Sequence, residues 1–171
     1  MTEAQLSNAM DAYGSTVYRL ALTRMQNIAD AEDVYQEVFL RLWKQAAEDW
    51  DGDRAKAWLI RTTLNRCADL HRFHLRRPVL SFAEIPDLAQ PEDESRELWE
   101  AVSRLPEKAR TAVHLYYAEG YSAEEISQLM HIPAATVRTR LHRARKQLKE
   151  LLGGIDDETC VSRSDGTNFG P

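Results

Sequence analysis

The spacing of apolar residues predicts α-helices along most of the chain. Apolar positions recur every three or four residues, as on one face of a helix, over about residues 3–26, 31–47 and 54–75. No segment alternates apolar and polar residues as a half-buried strand does, so the chain is predicted to be all-α. The three stripes consist of Leu6, Met10, Tyr13, Val17 and Leu20, then Val34, Tyr35, Val38, Phe39, Leu42 and Trp43, then Ala57, Ile60, Leu64, Cys67 and Ala68.

A proline-rich stretch divides the helices into two groups. Pro78, Pro86 and Pro91 interrupt the pattern, since proline lacks the amide donor and disfavours helix in the residue before it. We expect two small helical domains, residues 1–77 and 94–152, joined by a flexible linker over 78–93. Each would bury only a modest core by itself, so that contacts with a partner would matter to stability. In the second domain, helices are predicted over about 94–104, 106–118, 122–130 and 134–151, followed by a disordered polar tail over 153–171.

Residues 122–150 have the pattern of a helix-turn-helix. Ser122 and Glu125 form a capping box at the start of a short helix, and residues 131–133 form a turn before a longer basic helix. An α-helix of this kind fits the major groove of DNA. Arg138 and Thr139 would then reach base edges, and Arg143 and Lys146 would meet phosphates. The inward positions are predicted to be Ile126, Leu129, Ile132, Val137, Leu141 and Leu148.

Charge is distributed unevenly along the chain. The 171 residues carry a net charge of −5, which by itself argues against nucleic-acid binding. Two segments are nevertheless strongly basic: residues 54–77 hold seven Lys or Arg and one Asp, and residues 136–150 hold six Lys or Arg and one Glu. Aromatic residues lie among the Lys and Arg residues of the first segment. This mixture suits binding of melted nucleic acid, although Trp58 fits core packing equally well.

The second helix has a polar side besides its apolar stripe. Asp33, Gln36 and Leu40 recur on that side at helical spacing. Acidic residues near a helix N-terminus are explained by the helix dipole alone, but a charged stripe with an exposed leucine also suits docking of a partner. Periodicity does not decide between the two interpretations.

The sequence offers little for enzyme, metal or membrane functions. Cys67 and Cys160 form no CxxC pair, and we expect one core thiol and one exposed thiol. His71 and His74 lack further ligands that would complete a metal site, and we expect no cofactor and no small-molecule substrate. No apolar run is long enough to span a membrane and the N-terminus is unlike a signal peptide, which predicts a cytoplasmic protein without membrane insertion.

Four segments together resemble the extracytoplasmic function (ECF) group of the sigma-70 family of bacterial RNA polymerase sigma factors. Residues 30–43 (DAEDVYQEVFLRLW) are similar to the most distinctive segment of that family, and residues 56–69 (KAWLIRTTLNRCAD) to the helix that follows it. Residues 105–126 resemble the start of the C-terminal sigma domain, and residues 136–145 (TVRTRLHRAR) its recognition helix. The resemblance covers about residues 5–152 in matching order and spacing.

The resemblance implies a fold and a function. It implies a sigma2-like bundle of three to four helices and a sigma4-like helix-turn-helix domain, acting as an alternative sigma factor that binds core RNA polymerase and directs it to promoter DNA. It further implies contacts with the β′ clamp coiled coil and the β flap, and control by an anti-sigma factor. The implied β′-binding residues are Asp33, Gln36, Glu37, Leu40 and Arg41. Those for the −10 element are Trp58, Arg61, Asn65, Arg72 and His74, and those for the −35 element are Arg138, Thr139, Arg140, His142, Arg143 and Lys146.

The alternative is a stand-alone helix-turn-helix regulator. It would account for residues 94–152 but would leave the second helix and the basic third helix without a role. Most such regulators also dimerise to read two half-sites. An enzyme is disfavoured because no nucleophile, base or phosphate-binding loop is evident in the sequence.

Overall fold

The computed structural model describes residues 1–45, 52–76 and 93–153, and within these ranges every regular element is a helix. This confirms the all-α prediction. No helix in the described ranges has the length and apolar character that a membrane crossing requires. The predicted linker and the tail beyond residue 153 lie outside the described residues. In chain order the helices are α1 (Glu3–Met25), α2 (Ile28–Lys44), α3 (Gly52–Arg76), α4 (Asp93–Ser103), α5 (Glu107–Val113), α6 (Ala123–Met130) and α7 (Ala134–Leu151), with a π-helical turn at His114–Ala118 between α5 and α6.

Helices α1, α2 and α3 form a first bundle around a shared apolar core. Val17, Val38 and Leu59 are fully buried there, one from each helix. The second helix begins three residues before its predicted start near residue 31. The reason is that Asn27 caps it, its side-chain oxygen accepting from the Asp30 amide at 2.9 Å. Its end at Lys44 also falls before the predicted end at residue 47.

Two contacts with aromatic hydroxyls fix α1 against its neighbours. Gly14 of α1 is buried under Tyr35 of α2, and a Cβ added at Gly14 would lie 3.0 Å from the Tyr35 hydroxyl oxygen. Tyr13 donates a hydrogen bond to the Gly52 carbonyl at 3.0 Å, which ties the first residue of α3 to α1. These two contacts fix the position of α1 relative to α2 and to the start of α3.

Helices α6 and α7 form the predicted helix-turn-helix. The capping box is present, since Ser122 Oγ accepts from the Glu125 amide at 3.2 Å and Glu125 Oε2 accepts from the Ser122 amide at 2.8 Å. His131 adopts the left-handed conformation, with φ of 54°, and ends α6. Of the six predicted inward residues, Ile132 and Leu148 are half-buried and four are buried, namely Ile126, Leu129, Val137 and Leu141.

The helix predicted over residues 106–118 is two elements. After α5, the chain widens into the π-helical turn, in which the Glu119 amide donates to the His114 carbonyl at 3.2 Å, five residues earlier. Such a turn holds an extra residue compared with an α-helical turn. Here it places the side chains of His114 and Leu115 in the protein interior.

The two bundles share one apolar cluster. Leu20 of α1 and Ile60 and Leu64 of α3 are buried in the same cluster as Ala112 and Leu115 of the second bundle. The sequence predicted that each half would bury only a modest core and would depend on partner contacts. In this structure each half supplies such contacts to the other.

Cys67 is a core thiol, as predicted, and this gives a test of the first bundle. Its side chain is fully buried, and burial raises its pKa to about 12. At pH 8 only about one thiol in 10,000 would then be the reactive thiolate. We expect Cys67 in the native chain to resist alkylation, and to react once the chain is unfolded in denaturant, as read by peptide mass spectrometry. Rapid alkylation of Cys67 in the native chain would contradict this packing. Cys160 lies outside the described residues.

Candidate functional site

Helix α7 exposes most of the residues predicted to contact DNA. Val137, Leu141 and Ala144 are buried against the rest of the domain, which turns the opposite side of the helix outward. Arg140 is half-buried on the flank, and its Nη1 has no hydrogen-bond partner among the described residues. The exposed residues on the outward side are Arg138, Thr139, His142, Arg143 and Lys146.

Three exposed side chains of α7 already have partners in the structure. Arg138 forms an ion pair with Glu124 of α6 across the helix-turn-helix, and both side chains are more than half exposed. Such exposed pairs contribute little stability, so Arg138 can exchange this carboxylate for another partner. Thr139 donates to the Ala135 carbonyl at 2.9 Å. Arg145 donates to the Tyr117 hydroxyl at 2.7 Å.

Helix α3 brings three of its five predicted residues onto one exposed face. Arg61, Asn65 and Arg72 are exposed and separated by four and seven positions, the spacing of one helix face. Trp58, one turn earlier, is half-buried and packs against the first-bundle core. His74 points to α2 instead, with its Nε2 3.2 Å from Asp30 Oδ2.

A groove on the C-terminal half of α3 lies within the basic and aromatic segment noted in the sequence, although the groove itself was not predicted. Phe73 is 51% exposed in it, and Arg72 pairs with Asp69 at its edge. The basic and apolar residues that line the groove recur every three or four positions. This helical spacing is the sequence pattern that indicates a shared face. The groove is lined by Arg66, Asp69, Leu70, Arg72, Phe73 and Arg76.

Helix α2 presents a mixed polar and apolar surface. Glu37 and Arg41 are half-buried and joined by an ion pair of 2.9 Å, and this hydrogen bond lowers the pKa of the Glu37 carboxyl. Leu40 is 47% exposed between them. Trp43, which the sequence placed in the apolar stripe, is instead 41% exposed because it falls one turn beyond Leu40 on the outer side. Asp33 and Gln36 are exposed on the same helix and complete the α2 surface.

The histidines of α3 face carboxylates. His71 Nε2 lies 3.5 Å from Glu107 Oε2, and His74 is near Asp30 as described above. Within the described ranges, no group of three or more His, Cys, Asp or Glu side chains is placed to hold a metal ion. The chemistry that these surfaces support is recognition by charge, hydrogen bonding and apolar contact.

Two family models match the chain, one for each bundle. Residues 9–77 match "Sigma-70 region 2", a range that contains α2, α3 and most of α1. Residues 95–148 match "Sigma-70, region 4", a range that contains α6 and most of α7, the two helices of the helix-turn-helix.

Individual proteins match over most of this chain. The ECF RNA polymerase sigma factor SigE of Mycolicibacterium smegmatis is 34% identical over 88% of this chain, which spans only 62% of the length of SigE. The ECF RNA polymerase sigma factor SigM of Bacillus subtilis is 32% identical, over 85% of this chain and 94% of SigM. Among solved structures, the sigma factor RpoE of Bartonella quintana, in complex with the anti-sigma factor NepR, has a similar fold. Its TM-score is 0.73 at 24% identity, covering 87% of this chain and 97% of that one.

Proposed function

Because the chain belongs to the ECF group of the sigma-70 family, we propose that it is an alternative sigma factor of the cytoplasm, without catalysis of its own. It binds core RNA polymerase and directs the enzyme to particular promoters. One observation carries the proposal: a single chain combines a partner-type surface on α2 with two basic helix faces, on α3 and α7. A sigma factor requires all three surfaces.

The α2 surface is proposed to dock on the β′ clamp coiled coil. Leu40 and Trp43 supply exposed apolar area, and the charged groups around them, such as Asp33 and the Glu37–Arg41 pair, set orientation. Interfaces commonly place apolar anchors within a polar rim in this way. We further propose that the second domain contacts the β flap of the polymerase.

The α3 face is proposed to bind the melted −10 element. Arg61 and Arg72 can follow phosphates while Asn65 between them can hydrogen-bond an exposed base. Trp58 borders this face and is half-buried, so its role there is the packing that fixes the start of the face. His74 points to α2, and we propose that it positions the end of α3 through Asp30.

The α7 face is proposed to read the −35 element in the major groove. Arg138 and Thr139 lie in the first turns, where a recognition helix meets base edges, and Arg143 and Lys146 lie further along, where it meets phosphates. His142 shares the exposed face, whereas Arg140 lies on its flank.

Control by an anti-sigma factor is part of the proposal. The sequence resemblance implies such an antagonist, and the similar structure from Bartonella quintana was solved with one. That complex is a property of the other protein, and it motivates a search for a partner that binds this chain in place of polymerase.

The test is transcription in vitro with purified core RNA polymerase on fragmented DNA, with and without the chain. We expect new discrete start sites that share two spaced upstream motifs. A stand-alone regulator would give no new starts and would bind duplex DNA tightly by itself, with affinity falling steeply as salt rises.

Arg138→Ala is expected to reduce transcription from those promoters by about fivefold to 150-fold, equivalent to about 1–3 kcal/mol, because it removes a base-reading side chain. Binding to core polymerase should not change. Arg145→Ala is the matched control, since Arg145 lies on the same helix but is held by Tyr117. Promoter titrations and a polymerase pull-down measure the two effects. Equal losses of transcription for the two variants would show that Arg138 does not read bases.

A further inference from the structure

One ion pair joins the two helices of the helix-turn-helix on their exposed side. Arg138, in the second turn of α7, donates from Nη2 to Glu124 Oε1, in the first turn of α6. Both side chains are more than half exposed, so the pair contributes little to stability. The polymerase and DNA contacts proposed above give no role to Glu124. A carboxylate held beside a base-reading arginine is a candidate for a role in recognition.

The cap of α6 does not require Glu124. Ser122 and Glu125 form the capping box, in which each side chain accepts a hydrogen bond from the amide of the other residue. An acidic residue in the first turn of a helix is also favoured by the helix dipole, which accounts for a glutamate at position 124. The dipole does not account for the pairing of this glutamate with an arginine 14 residues further along the chain.

The start of α7 lacks a negative charge of its own. Its first turn holds no acidic residue, and no side chain caps it, because Pro133 stands at the capping position. Helical side chains lean toward the N-terminus of their helix, which brings the Arg138 guanidinium toward the positive end of the α7 dipole. Glu124 therefore supplies from α6 the charge that holds this cation in place.

The pair leaves Arg138 able to contact a base. A guanidinium has five N–H donors in a planar fork, and Glu124 accepts from one nitrogen, Nη2. The remaining donors suit guanine, which presents the two acceptors O6 and N7 in the major groove. A guanidinium that is already held also loses less side-chain freedom on binding than a mobile one.

The pair also disfavours a phosphate as the partner of Arg138. A phosphate would displace Glu124 only by breaking the ion pair, and it would leave the carboxylate beside the negatively charged DNA backbone. Binding partners are often discriminated by such a repulsive element as well as by attractive contacts. A guanine edge carries no net charge and meets no such repulsion.

We propose that Glu124 is a positioning residue for recognition of the −35 element. It holds Arg138 so that the guanidinium reads a guanine at one position of the element and does not bind a phosphate. This inference rests on the function proposed for the α7 face. It adds a residue of α6 to that surface, and this residue acts through Arg138 without a base contact of its own.

The first experiment measures base preference with Glu124→Gln, which keeps the size of the side chain and removes its charge. The full chain and core polymerase transcribe the promoters found in the transcription test, with each −35 base pair replaced in turn. At one G·C pair, replacement should cost the unmodified chain about tenfold in transcription and the variant only about twofold. An unchanged base preference for Glu124→Gln would overturn the proposal.

The second experiment measures binding of the free full chain to random-sequence duplex DNA as salt is varied. Glu124→Gln frees Arg138 for a phosphate, so its affinity at low salt should rise about threefold. The slope of log affinity against log salt should steepen by about one, as expected for one additional phosphate contact. A pair that serves only the fold would change neither quantity, and that result would contradict the proposal.

Glu125→Gln is the matched control. It removes the same charge from the adjacent exposed residue, and glutamine keeps the capping box at the start of α6. We expect this variant to retain the base preference and the salt dependence of the unmodified chain. Changes as large as those of Glu124→Gln would mean that net charge alone is responsible, and the positioning role would be wrong.

A combined substitution tests whether Glu124 acts through Arg138. In a chain that already carries Arg138→Ala, Glu124→Gln should cause no further change in base preference. A further change would show that Glu124 reads a base itself, which contradicts the positioning role. If the unmodified chain never directs core polymerase, the proposed function fails instead, and the salt dependence of the free chain still tests the ion pair.

Discussion

Leu40→Asp is expected to weaken binding to core RNA polymerase by about 100-fold, because a buried anchor at the centre of an interface contributes 2 kcal/mol or more. Leu40 is 47% exposed in the middle of the α2 surface, and a carboxylate there would be desolvated against the partner. Trp43→Ala, one turn further along, should give a similar loss. The measurement is a titration of labelled core polymerase with each full-length variant.

The control for Leu40→Asp uses another exposed leucine. Leu75→Asp, at a residue 83% exposed near the end of α3, should bind polymerase like the unmodified chain. Both leucines lie on the surface, so the unfolding free energy should change little, by about 0.5 kcal/mol or less. Unchanged polymerase binding by Leu40→Asp and Trp43→Ala together would show that the α2 surface is not the docking site.

Ile126→Ala should destabilise the chain by about 2–5 kcal/mol, the range for truncating a large buried aliphatic residue. Ile126 is fully buried where α6 packs on α7, within the cluster that also includes Leu20 and Ile60. The loss should therefore affect both bundles. Denaturant unfolding followed by circular dichroism measures the unfolding free energy.

Two substitutions bracket the expected effect of Ile126→Ala. Ile126→Val deletes one methylene and should cost about 0.5–1.5 kcal/mol. Ile28→Ala removes the same atoms as Ile126→Ala from a residue that is 37% exposed at the start of α2, and should cost clearly less. A cost for Ile126→Ala no larger than for Ile28→Ala would mean that α6 does not pack into the shared core.

Helical periodicity predicted most of the elements because each helix has one apolar stripe. The bounds of α1 and α7 differ from the predicted ones by at most about one residue, and the capping box at Ser122 formed as its sequence indicated. The start of α2 was predicted late because Asn27 and Asp30 are both good cap residues, and only the geometry selects Asn27. The assignments of individual residues to polymerase and DNA stay predictions.

The contacts between the bundles could not be predicted from the sequence. Leu20, Ile60 and Leu64 belong to apolar stripes that also face the first bundle, and periodicity does not say which neighbour covers each residue. Arg110 looks like an ordinary surface arginine, because its burial depends on carbonyls more than eighty residues away in the chain. Trp43 was misplaced because it lies at the edge of the apolar stripe.

The π-helical turn at His114–Ala118 makes the length of this segment as important as its side chains. Its bond spans five residues, so the segment holds one residue more than an α-helix requires. Deleting one residue here would restore an α-helical turn and rotate α5 by about 100° relative to the helix-turn-helix. That rotation would carry Arg110 away from the end of α1 while leaving every residue of the α7 face intact. In evolution, the loss of a single codon at this turn would thus change the contacts between the two bundles while the residues of the α7 face stay the same.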